Sequence, residues 1–247
     1  MKKLLLPIIP LVVVILAAEF LVRKGIVASY ILPSPSSIFS SLVADFQEYA
    51  SALQETLGAA FIGLLLAGVT GVMVALILSS SEWVEDALYP YATFFQTVPV
   101  VSIAPLLVIW FGFGFRTVVI SSFIVSIFPV IANTIAGLRF TDPALVDLFK
   151  LYGGSKADLL FKLRLPSAVP QIFTGLKISS GLAMIGAVIG EFIAGGGLGG
   201  VIDASRTQQR LDKVFAAVLL ASFSGVLLVF LLNMVSKLFL KRWRELQ

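Results

Sequence analysis

Glu191 is the side chain whose type and position most need a chemical explanation. It stands in MIGAVIGEFIAGGGLGG (184–200), a run with no other charge. A carboxylate inside an apolar span is costly unless it is paired or wetted, so such groups default to a functional role. Two readings are open: a structural or gating part near an outer mouth, or a hydrated place at the interface with Arg206 or Arg210 as partner. Just beyond it, Gly195, Gly197 and Gly200 satisfy the G-x-G-x-x-G spacing of a dinucleotide loop. That chemistry needs the triplet after a strand and at the mouth of a helix in a βαβ unit. Here it follows an apolar run that spans, so a flexible outer turn is expected instead.

Other chemistry is excluded by composition. The chain has no cysteine and no histidine, which removes disulfides, thiolates and imidazole metal sites. Asp142, Asp147 and Asp158 are spaced for helix caps and surface rather than for a metal, and no G-x-x-x-x-G-K-[ST] loop occurs. The expectation is therefore no catalytic residue, no metal site and no cofactor bound by this chain. If ATP is involved, another polypeptide binds it.

The elements that position these residues follow from apolar content. Of 247 residues, 58% are hydrophobic and 13% charged, against about 45–50% apolar and about 25% charged in soluble domains. The mean hydropathy is +1.01. Runs of ~18 or more uncharged residues can each cross a hydrocarbon core as a helix. The chain reads as all-α, a polytopic transmembrane helical domain covering 1–247. Six spans are predicted, near 4–22, 54–78, 91–111, 117–138, 173–194 and 214–236. The first of them also resembles a signal peptide, with Ala17-Ala18 as a cleavage-like pair, and we read it as a membrane helix. Between the first two spans, Pro33 and Pro35 break the chain. Ser36 or Ser37 then caps an amphipathic helix at the membrane surface, with Ile38, Phe39, Leu42, Val43 and Phe46 along one side.

Basic residues orient the array. With both termini on one side, twelve of the 18 lysines and arginines fall on that side and six on the other. That side is the cytoplasm, and it includes Lys2, Lys3 and the segment at about 139–172. The net charge of +4 thus reports orientation and contact with membrane lipid rather than nucleic-acid binding.

Within spans, Gln96, Thr97, Ser102, Ser126, Asn133 and Asn233 either line a translocation path or bond neighbouring helices. Pro99 and Pro105 free backbone carbonyls, which is tolerated beside a cavity or another helix. The third span therefore ranks first for lining a path, with Gln96, Thr97, Pro99, Ser102, Asn133 and Glu191 as candidate path or gate residues. Gly186 and Gly190 form a small-xxx-small face suited to close helix contact.

The cytoplasmic segment is the most structured. Asp142-Pro143 starts a helix. Leu145, Leu148, Phe149 and Tyr152 give it a one-sided apolar stripe, and Gly153-Gly154 stop it. Ser155 and Asp158 have capping-box spacing for a second helix, which Pro166 is expected to end. So short an apolar stripe does not stand alone in water. It packs on its own domain, lies in the headgroups, or docks into a groove on a soluble partner.

A resemblance decides between these. Asp147-Leu148-Phe149, three residues, Gly153, nine residues, then Leu163-x-Leu165-Pro166 is similar to the cytoplasmic loop of ABC importer permeases, E-A-A-x3-G-x9-I-x-L-P. The spacing fits without a gap, and both alanines are replaced. LPSPSSIF (32–39), PVVSIAPLLVIWFGFG (99–114), LPSAVPQIFTGLKISSG (165–181) and IGEFIAGGGLGGVI (189–202) resemble the nitrate, sulfonate and taurine branch of that family. The resemblance implies a type I ABC importer permease fold in the inner membrane. It also implies a separate ATPase subunit coupled through a loop that includes Leu145, Asp147, Leu148, Phe149, Tyr152, Gly153, Leu163, Leu165 and Pro166, with Leu145, Leu148, Phe149 and Tyr152 carrying the docking, Gly153 fixing the elbow angle and the stretch to Pro166 as the support. A periplasmic or extracellular solute-binding protein, a permease homodimer, and a nitrate-, sulfonate-, taurine-like or vitamin-precursor solute complete the implied system. The rival readings are an ion-coupled secondary transporter or channel, which needs midplane ionisable groups, and a membrane enzyme, which needs clustered carboxylates or a nucleophile and base.

Overall fold

The computed structural model describes residues 8–244, leaving aside the side chains of Ile8, Glu82, Glu85, Ala92, Phe95, Gln96 and residues 242–244. Lys2 and Lys3 lie outside the described residues. Every described element is helical: α1 (Ile8–Arg23), α2 (Pro35–Ala44), α3 (Phe46–Leu78), α4 (Glu82–Thr97), α5 (Val100–Phe111), α6 (Phe115–Arg139), α7 (Pro143–Leu151), α8 (Lys156–Ala194), α9 (Gly197–Thr207) and α10 (Leu211–Arg244). Among the described residues, four helices are long and apolar enough to cross a membrane: α3, α6, α8 and α10.

The centre is a close-packed trio of α3, α6 and α8, with α10 against α8. Its closest contacts are made at small residues, with large apolar side chains such as Leu64, Ile135 and Met184 buried beside them. A methyl group on Gly186 would stand 2.8 Å from the Ser122 Cα and 2.9 Å from the Ser121 carbonyl oxygen, so α6 and α8 touch backbone to backbone there. Hydroxyls stitch the same seam. Ser121 Oγ donates to the Gly186 carbonyl at 2.8 Å and Ser122 Oγ to the Ala183 carbonyl at 2.9 Å. Lower down, Ser179 Oγ donates to the Ser126 carbonyl. In lipid, where burial of apolar surface between helices yields little, close packing and interhelical hydrogen bonds are the forces left.

The predicted third span is not one helix. Val98 and Pro99 separate α4 from α5, with Pro99 extended at φ −65° and ψ 116°. Pro99 stands just before the first turn of α5, whereas Pro105 is taken inside that helix. Pro166 also behaves differently from expectation. Residues 159–164 wind as a π-helix, in which the Leu165 N–H reaches back to the Leu160 carbonyl. That wider turn accommodates a residue that lacks an N–H and crowds the preceding turn. The helix runs on through Pro166 to Ala194. The cap of α2 is Ser34, whose Oγ accepts from the Ser37 N–H at 3.2 Å, because Pro35 takes the first helical position and the cap must precede it. The amphipathic face of α2 is split: Ile38 and Leu42 pack on Tyr49, Leu198 and Ala217, while Phe39, Val43 and the adjoining Phe46 are exposed.

Gly186→Val would drive a branched side chain into the α6 backbone. Overpacking of this kind costs about 1–3 kcal/mol, so the apparent melting temperature of the detergent-solubilised protein should fall. Gly181→Ala is the control, since its nearest neighbour is the Val229 side chain at 3.9 Å, and its melting temperature should match that of the wild type.

Candidate functional site

Two places gather the residues of interest, at opposite ends of the helix array. At one end is the elbow. Asp142 Oδ1 accepts from the Ala144 N–H at 2.9 Å, and Pro143 follows at the first helical position. The helix closes with the Gly153 N–H on the Lys150 carbonyl (2.9 Å) and the Gly154 N–H on the Phe149 carbonyl (3.1 Å). This paired ending requires the left-handed backbone of Gly153, φ +75°. The second helix opens on a complete capping box. The Asp158 N–H donates to Ser155 Oγ at 3.1 Å, and the Ser155 N–H to Asp158 Oδ2 at 3.3 Å. Lys162 pairs with the same carboxylate. Asp158 belongs to the 139–172 segment, outside the predicted span at 173–194. Lys162 and then the Ser155 bonds hold its carboxyl down from 3.8 to about 2. The cap is therefore fully present above the ordinary value and is lost only as pH falls through the depressed one.

No residue of α7 is buried. Leu145 is 47% exposed, Leu148 49%, Leu151 84% and Tyr152 85%. Phe149 departs from the predicted stripe. It is half-buried under the turn, where a methyl group on Gly154 would meet its ring at 2.5 Å. Asp147 points to solvent with Lys150 at 3.5 Å. Leu163, Leu165 and Pro166 are half-buried along the base of α8. Just past them, Ala168 is fully buried, so close to α6 that a methyl group on Gly137 would stand 2.9 Å from its Cβ. The elbow thus presents an open apolar face on a base locked to α6.

At the other end is a socket around the start of α9. The Gly197 N–H donates to Glu55 Oε2 (2.8 Å), the Leu198 N–H to Thr56 Oγ1 (2.9 Å), and the Gly199 N–H to Glu191 Oε2 (2.9 Å). Three successive orphan donors of a helix N-terminus are satisfied by side chains of α3 and α8. Glu191 is only 2% exposed, and neither expected arginine reaches it. Arg206 pairs with Asp203 and Arg210 with Asp212, while the Glu191 carboxyl group accepts from the Gly199 N–H. Nor is the glycine stretch a loose turn. Gly197 begins α9 at φ +54°, and any Cβ there would overlap the Glu191 carboxylate. Glu55 and Thr56 carry no sequence signal for this role, since their partners lie 142 residues away.

The candidate path residues are not gathered into one lining. Thr97, Pro99 and Ser102 are exposed at the α4–α5 break, and Asn133 Nδ2 turns back onto the Pro129 carbonyl of its own helix at 2.8 Å. Of Gln96 only the backbone is described. A cavity of ≈ 540 Å³ lies under the break, lined by apolar groups including Val98, Val100, Ile124, Phe128 and Leu182.

The comparisons with known proteins fit this architecture. Residues 67–245 match the family described as the binding-protein-dependent transport system inner membrane component. The chain is a member of that family, an ABC importer permease. The permease is 37% identical over 201 residues to the formylaminopyrimidine transport permease protein ThiX of Halalkalibacterium halodurans, covering 80% of each chain. It is 29% identical over 249 residues to the putative aliphatic sulfonates transport permease protein SsuC of Bacillus subtilis, covering 99% of this chain and 88% of that one. Its backbone superposes on a chain of the inward-facing MetNI methionine ABC transporter with a TM-score of 0.68 at 14% identity, covering 78% of the permease and 96% of that chain. That likeness concerns the fold alone.

Replacing Ser155 with alanine removes one half of the capping box. The loss is about 1 kcal/mol of local helix stability. Amide exchange at Asp158 should quicken while exchange in the α6–α8 seam stays as slow as in the wild type.

Proposed function

We propose that the permease carries a small heterocyclic solute of the vitamin-precursor class inward across the cytoplasmic membrane, with both termini and the elbow in the cytoplasm. The relative named for formylaminopyrimidine is closer in identity than the one named for sulfonates. ATP belongs to a separate ATPase subunit, and this chain makes and breaks no bond. An external binding protein delivers the solute, and a second copy of the permease completes the pore.

The observation that carries the reading is the apolar face of α7. Leu145, Leu148, Leu151 and Tyr152 stand open on a segment that the lysine and arginine distribution assigns to the cytoplasm, where lipid does not cover them. A groove on an ATPase subunit buries such a face. Closure of the nucleotide-bound ATPase pair then moves the elbow, and the spans rock between inward-open and outward-open states. Membership in a binding-protein-dependent importer family does not favour an ion-coupled mechanism.

Gly153→Val forces a branched residue into a left-handed conformation and misaims α7. In cells expressing the whole system, membrane insertion should persist while uptake of labelled formylaminopyrimidine or of a related pyrimidine falls to background. Normal uptake by this variant would sink the coupling role. Uptake of an alkanesulfonate but no pyrimidine by the wild type would overturn the solute class.

A further inference from the structure

Glu191 is buried on a long helix, yet the transport reading gives it no task. Its surroundings define one. Helix α9 lacks a side-chain cap of its own, because its N-cap is Gly196 and its first turn is Gly197-Leu198-Gly199-Gly200. Gly195, Gly196 and Gly197 all have positive φ, so the connection from α8 supplies no stiffness of its own. What fixes the start of α9 is the set of three acceptors from outside it: Glu55 and Thr56 on α3 and Glu191 on α8. The fit is steric as well as polar. On Gly199, a methyl group would stand 2.5 Å from the Val188 carbonyl oxygen and 2.7 Å from Glu191 Cβ. Below the first turn, Leu198 is fully buried with Tyr49, Ala52, Ala216 and Ala217.

The second observation is the continuity of α8. It is helical throughout its 39 residues, from Lys156 in the elbow to Ala194 beside the socket, with a π-wound stretch at 159–164 near its start, a length of roughly 58 Å at about 1.5 Å per residue. One end of that rod carries the elbow and the other carries Glu191.

We propose that Glu191, with Thr56 and Glu55, is a positioning latch that makes α9 move as one body with α3 and α8, so that displacement of the elbow is delivered to the outer mouth. The inference rests on the transport reading above. The latch stays closed through the cycle. Glu191 touches no solute in this role and acts through the backbone of Gly199. A leucine at 191 fills the space but accepts no hydrogen bond, whereas a glutamine keeps an oxygen acceptor.

Two measurements test it. In the first, the permease in lipid nanodiscs is followed by amide exchange at Gly197–Gly199. Loss of one buried hydrogen bond, leaving its donor without a partner, corresponds to exchange faster by about tenfold. That acceleration is expected for Glu191→Leu and, at Leu198, for Thr56→Val, with Glu191→Gln returning toward the wild-type rate. Unchanged exchange in both Glu191→Leu and Thr56→Val overturns the latch. In the second, the permease is reconstituted with its ATPase subunit and binding protein, and solute taken up per ATP hydrolysed is recorded. The expected result for Glu191→Leu is continued hydrolysis with uptake per ATP reduced by about tenfold, and partial rescue by Glu191→Gln. Faster exchange with an unchanged ratio overturns the coupling role and leaves a static cap. Absence of ATP-driven uptake by the wild type overturns the transport reading and with it the coupling role.

Discussion

The structure depends on the backbone contact between α6 and α8. Where Gly186 faces Ser121 and Ser122, two helices approach as closely as a missing side chain allows. The serine hydroxyls of one then bond the carbonyls of the other. In water such a seam would be a minor addition to a hydrophobic core. In a bilayer, apolar side chains find lipid as congenial as protein, and this kind of contact decides which helices stay together. Large apolar residues such as Phe61, Ile109 and Phe230 are free to face outward, as they do.

A rigid seam gives the two ends of the molecule something to act through. The elbow is fastened at Gly137 and Ala168, where α6 and α8 meet. The socket is fastened at Glu191, where α8 ends. Between them the rods are unbroken, including across Pro166, where a π-turn widens the helix rather than stopping it. The α4–α5 pair is the exception. Its break at Val98-Pro99 sits over an apolar cavity.

How much of this the sequence reveals follows from range. The elbow is legible almost residue by residue, because Asp142-Pro143, Gly153 and the Ser155–Asp158 pair act on their own neighbours within three or four positions. Four of the six predicted spans are legible from apolar length among the described residues, whereas the third is divided at Val98-Pro99 and the first falls on the shorter α1. Pro166 misleads, since the crowding by which a proline usually ends a helix is absorbed by a local change of winding. Phe149 misleads because periodicity cannot see that Gly154 leaves room for a ring to fold under the turn. The socket is invisible, because Thr56 and Leu198 are 142 residues apart and neither belongs to a periodic pattern. Glu191 draws attention by residue type alone, and only the fold supplies the hydrogen-bond partner that makes its burial tolerable.

The central claim is that the open face of α7 lies in the cytoplasm and is covered by an ATPase subunit. The chain contains no cysteine, so Leu148→Cys introduces a unique reporter on that face. Labelling with a membrane-impermeant maleimide should succeed in inside-out vesicles, fail in right-side-out cells, and be suppressed when the ATPase subunit is co-expressed. Labelling from the outside, or labelling indifferent to the ATPase subunit, would contradict the account.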